Sequence, residues 1–160
     1  MRQVDALLEE YGVSHQNPTN KLIHWFCVPL IFFSTVGLVG SIPLGPLDGI
    51  VTGTAALYFN WATIILALTT VWYFRMSVPL ALGMIGVAVL MLYLCIVVQN
   101  VFPYPLWQTS LAIFVVAWIG QFIGHKIEGV KPSFFQDLQF LLVGPMWLMH
   151  FVFKKLGIQY

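Results

Sequence analysis

Residues 22–39, 50–74, 79–98 and 106–123 form four apolar stretches, each approaching or exceeding the ~20 residues a helix needs to cross a bilayer. Hydrocarbon cannot hydrogen-bond a peptide group, so a spanning segment must satisfy its backbone internally. The expected fold is therefore all-α: a multi-pass membrane helix bundle, with residues 1–160 forming a single integral membrane domain. Composition agrees, since 59% of the residues are hydrophobic and 8% charged, against roughly 45–50% apolar content in soluble domains. A formal net charge of +1 argues against a nucleic-acid partner and against a polybasic membrane anchor.

The remaining segments are readable as connections. Val4, Leu7, Leu8 and Tyr11 make one stripe of a short amphipathic helix over residues 4–11, suited to the membrane surface. Asp5, Glu9 and Glu10 stand where a cleavable signal peptide would need apolar residues. Residues 14–21 form a polar loop leading into a helix start. Pro29 is tolerable within the first span because neighbouring groups satisfy the freed backbone. Two prolines and two glycines mark residues 41–49 as a turn, and two prolines make residues 101–105 a tight connection.

Residues 134–153 are long enough to cross, but Gln136, Asp137 and Gln139 begin the segment and Gly144-Pro145 interrupts it. Charge decides between the two topologies. Four crossings place Arg2, Lys21, Arg75, Lys126, Lys131, Lys154 and Lys155 on one side, whereas five move Lys154 and Lys155 across. The positive-inside rule favours about four crossings, cytoplasmic termini and a broken or re-entrant C-terminal helix. The membrane would be the inner membrane of a bacterium or the endoplasmic reticulum of a eukaryote.

Under that topology all four histidines, His15, His24, His125 and His150, reach the cytoplasmic face. Ionisable groups in a membrane are costly and mark function, and neutral imidazole is the commonest metal ligand. Gln121, His125 and Glu128 share a helix face at spacings of four and three. Glu128 could ligate a metal or orient His125 through its second ring nitrogen. Asn17, Asn20, Lys21 and His24 gather at the start of the first span, where a helix N-terminus and a lysine could dock a fatty-acid carboxylate. Lys131 is the other candidate for that basic group.

Each feature has a plainer reading. Lys21, Lys154 and Lys155 serve as snorkelling anchors, and His15 as a cap in a polar loop. His150 alone is equally well explained as amphipathic filler. The six tryptophans belong to belt and packing, and Cys27 and Cys95 read as small buried hydrophobes. The ligand inventory lacks a thiolate pair and the paired Glu-x-x-His motifs of di-iron bundles. A single iron, ahead of zinc, held by three or four imidazoles fits it best.

The stretch from Tyr11 to Pro29, with Ser14-His15-Gln16-Asn17-Pro18 and His24-Trp25-Phe26 within it, resembles the opening signature of a small membrane family. Trp118-Ile119-Gly120-Gln121-Phe122-Ile123-Gly124-His125 followed by Glu128-Gly129-Val130-Lys131-Pro132 resembles its second part. This is the 2-hydroxy fatty acid dioxygenase family, whose fungal member acts in phytosphingosine breakdown at the endoplasmic reticulum. The resemblance runs through nearly the whole chain. It implies an Fe(II)-dependent alpha-oxidation that uses O₂ to shorten a 2-hydroxy long-chain fatty acid by one carbon at a lipid membrane. His15, His24 and His125 fall within the matching stretches, and His150 lies outside them. Lys21, Glu128 and Gln121 are the expected catalytic side chains. The competing reading is a small transporter or lipid-binding scaffold with structural or proton-relay histidines; a haem protein is a third, disfavoured by the loop position of His15.

Overall fold

The structure, a computed structural model, describes residues 2–129 and 140–160. Among these residues six α-helices occur and no strand: α1 (Gln3–Val13), α2 (Pro18–Gly40), α3 (Trp61–Met76), α4 (Val78–Val101), α5 (Leu106–Glu128) and α6 (Val143–Leu156). Helices α2, α4 and α5 have 23, 24 and 23 residues and are long and apolar enough to cross a membrane. The chain is a helical membrane protein.

Local chemistry sets the helix ends. Asn17 caps α2, its Oδ1 accepting from the backbone N–H of Thr19 at 2.9 Å and of Asn20 at 3.4 Å. Pro18 follows in the first turn, where its missing N–H costs no helical bond. The second apolar run is corrected. Its helix begins at Trp61 rather than near residue 50, and its 16 residues extend about 24 Å at ~1.5 Å per residue. Gly49 and Gly53 adopt φ of 78° and 71°, a left-handed conformation that stops a helix. Asn60 then restarts it, accepting from the N–H of Thr63 at 3.1 Å.

The C-terminal apolar segment is broken, as expected, but at a different place. Its expected start at residues 134–139 lies outside the described residues. Gly144-Pro145 falls in the first turn of α6 rather than mid-helix, where proline removes no intrahelical bond. Helix α6 has 14 residues and packs on α1 and on one end of the bundle, with Phe153 and Met149 against Gly83.

Helices α2 to α5 alternate in direction, so the starts of α2 and α4 meet the ends of α3 and α5. One core cluster joins Val4, Val28, Tyr73, Leu80, Met146 and Trp147 at that end. A second joins Phe32, Phe33, Ala62, Leu66, Met91 and Cys95 toward the other. The largest interface is that of α2 with α5, and small residues make it close. A Cβ added at Gly37, Gly120 or Gly124 would lie 2.1 Å from Ser110 Oγ, 2.6 Å from Cys27 Sγ or 2.4 Å from Asn20 Oδ1. Such close backbone approach is how membrane helices gain packing without a hydrophobic driving force. Both cysteines are free, as their positions within apolar runs suggested.

Candidate metal centre

Close packing of α2 on α5 sets His24 against His125, with ring centroids 5.1 Å apart. The turn between α1 and α2 adds His15, whose ring lies 4.2 Å from His24 and 5.4 Å from His125. All three are buried, at 1%, 0% and 4% exposure. One ligand nitrogen from each lies within 4.8 Å of the other two. Three residues separated by as many as 110 positions thus converge because two antiparallel helices and one loop share a membrane end.

Hydrogen bonds assign the proton on two rings. His15 Nδ1 lies 2.6 Å from the carbonyl oxygen of Tyr11, and His24 Nδ1 lies 2.9 Å from that of Asn20. A carbonyl only accepts, so each Nδ1 carries hydrogen, and in the neutral ring Nε2 is then the nitrogen with the lone pair. This is the usual way a ligating imidazole is oriented. The Tyr11 ring also stacks on His15, 4.2 Å away at 11°. A buried set of three imidazoles, two fixed as Nε2 donors, fits a single first-row divalent ion.

Glu128 secures the loop that carries His15. Its carboxylate accepts from the backbone N–H of Gln16 at 2.7 Å, that of Asn17 at 2.9 Å and the side-chain amide of Asn20 at 2.8 Å. The same Asn20 amide reaches the Ser14 carbonyl at 3.2 Å. The end of α5 is therefore tied to the start of α2 by a charged acceptor at a helix N-terminus, a favourable place for an anion. Glu128 holds the loop backbone, a role different from the ligand or His125-orienting role expected of it.

The other expected site residues are placed as follows. Gln121 is buried on α5, one turn before His125. Lys21 is half-buried in the first turn of α2, three residues before His24 and outside the buried triad. Lys131 lies outside the described residues. His150 is not brought to the other three. It sits in α6, where its Nδ1 hydrogen-bonds with the hydroxyl of Tyr160 and its ring packs on Phe151. Burial and the neighbouring Lys154 hold its pKa below the ordinary histidine value. Helix α6 packs on α1, α2 and α4, and His150 there meets Tyr160 near the C-terminus.

Tyr11 and Asn20 act in the site in ways the sequence did not announce. Tyr11 reads as one position of an amphipathic stripe, and Asn20 as a neighbour of His24. Their spacing four residues before His15 and His24 was the available signal, because that spacing brings a carbonyl within reach of the ring.

Fold and site together define a helical membrane protein with a buried three-histidine centre at one end of its bundle. The 2-hydroxy-palmitic acid dioxygenase Mpo1-like family matches residues 1–156, and the chain belongs to that family. It is 28% identical over 149 residues to 2-hydroxy-palmitic acid dioxygenase MPO1 of Saccharomyces cerevisiae, covering 92% of this chain and 78% of that protein. No solved structure matches.

Proposed function

We propose that the protein is an Fe(II)-dependent dioxygenase that converts a 2-hydroxy long-chain fatty acid to the acid one carbon shorter. The observation that carries this reading is the buried set of His15, His24 and His125, with His15 and His24 presenting Nε2. Family membership supplies the substrate class. Three neutral ligands leave coordination positions open, as the oxygen-activating iron enzymes require. Bound iron would supply the activation of O₂ and the attachment of the hydroxy acid. The reaction balances without a cosubstrate: 2-hydroxy acid and O₂ give the shortened acid, carbon dioxide and water. The electrons come from the two carbons of the broken C1–C2 bond.

The chain's own residues orient and seal. Tyr11 and Asn20 hold the ring protons of His15 and His24 away from the metal side, and Glu128 fixes the loop that presents His15. Lys21 is the favoured partner of the substrate carboxylate. The site faces the cytoplasm in this reading.

Anaerobic loading with Fe(II), followed by aerobic incubation with 2-hydroxypalmitate and analysis of product length, tests the proposal. The expected result is about one iron per chain without a haem absorption band, together with a fifteen-carbon acid. Purified protein that takes up no iron and leaves the hydroxy acid intact overturns it in favour of a transporter or scaffold.

A further inference from the structure

A crevice of about 30 Å³ lies one helical turn further into α2 and α5 than His24 and His125. Three of its walls stand four residues from the three histidines: Tyr11 before His15, Val28 after His24 and Gln121 before His125. Ile31, Trp118, Phe140, Leu141, Gly144 and Pro145 make up the rest of a mostly apolar lining. Gln121, 5% exposed, brings to this lining a carboxamide that can both donate and accept. It can therefore meet a carboxylate oxygen or an alkyl hydroxyl one helical turn from His125.

Resting on the function proposed above, we infer that this crevice receives the first carbons of the acyl chain, beside Gln121, while the rest of the chain stays in the bilayer. Size supports the division. At ~10–15 Å³ for each water-sized group, the space suits on the order of two to three methylenes. Ile31 and Trp118 stand in the middle of α2 and α5, which are long and apolar enough to span, so this wall of the crevice lies at hydrocarbon depth. Lipid tails are as apolar as leucine, and burying the remaining methylenes in protein would gain little. The larger cavity at the far end, about 940 Å³ and lined by Val36, Leu92 and Cys95, lies beyond the packed core of Phe32, Phe33 and Met91.

Photolabelling of the full, iron-loaded chain in bilayer nanodiscs tests the inference. One 2-hydroxy acid carries a diazirine near the carboxylate, and a second carries it near the terminal methyl. The first is expected to label Val28, Ile31, Trp118 or Leu141, and the second to label lipid. Ile31→Trp should remove the proximal adduct while metal content holds. Gln121→Leu should weaken labelling by the hydroxylated probe and leave that by its unhydroxylated analogue unchanged. At equal surface concentration, kcat/KM should vary by no more than about threefold among long chains, because hydrocarbon solvates the distal methylenes equally well. Proximal adducts in the far cavity, or a steep optimum in chain length, overturn the inference. Crevice labelling without turnover would leave the binding site standing and remove the proposed reaction. Turnover with labelling elsewhere would remove only the site.

Discussion

Because a carbonyl oxygen cannot donate, the bonds from His15 and His24 to Tyr11 and Asn20 fix which ring nitrogen faces the centre of the triad. Alanine at His24 or His125 removes a nitrogen that no neighbour replaces. Iron affinity should fall by more than the roughly 10–100-fold typical of losing an outer partner of a ligand, and metal analysis of the folded variants measures it. His150→Ala should leave iron content unchanged, since its ring is paired with Tyr160. Glu128→Gln keeps the shape but replaces a charged acceptor of three donors by a neutral one. It should cost on the order of 1–2 kcal/mol in stability and about 10–100-fold in iron affinity, read by chemical unfolding and by metal titration. Lys21→Met should lower kcat/KM for the hydroxy acid by roughly tenfold with iron unchanged, the loss expected for one charge-assisted contact to a carboxylate. Unchanged kinetics with reduced membrane yield would make Lys21 an anchor. The histidines were legible in the sequence because ionisable groups are rare in an apolar chain. The role of Glu128 was not, because its partners lie more than 100 positions away in a loop.

At the scale of elements, the site depends on how near α2 and α5 approach. Asn20 is held by Glu128 and by the Ser14 carbonyl, so it cannot yield to a methyl group on Gly124, which would sit 2.4 Å from its Oδ1. Gly124→Ala should therefore push the helices apart, at about 1–3 kcal/mol for overpacking, and weaken iron binding with it. Gly86→Ala, on an exposed face of α4 with nothing within 4 Å, is the matched control and should bind iron as the parent does. Equal iron affinities in the two variants would show that this helix contact does not set the triad. Three of the four apolar runs identified helices long enough to span, since apolar length is a local property. The start of α3 and the place of the break before α6 were missed for a different reason: Gly49, Gly53, Asn60 and Pro145 end or begin helices through φ angles, caps and first-turn position. Hydropathy is blind to all three.

Across the whole molecule, charge and chemistry share one end. The starts of α2 and α4, the ends of α3 and α5, and both α1 and α6 gather there, bringing Arg2, Lys21, Arg75, Lys126, Lys154 and Lys155 to that end. Among the described residues the opposite end carries only Asp48 as a formal charge. The two termini also touch: the Arg2 guanidinium donates to the Tyr160 carbonyl and lies 5.7 Å over its ring, while pairing with Asp5 at 2.8 Å. Termini that meet at one end of the bundle would give an even number of crossings, and with the basic residues at that end we propose, by the positive-inside rule, that it faces the cytoplasm. Reporter fusions at residues 1 and 160 should therefore both read cytoplasmic, and one inserted beside Asp48 should read the opposite compartment. A terminal reporter pair on opposite faces would require α6 to cross. That would separate Tyr160 from Arg2 and strip α1 of the helix that covers it, leaving Tyr11 without the packing that holds its ring on His15. The topology experiment thus bears directly on the triad: one orientation of α6 supports the three-histidine centre, and the other takes away its floor.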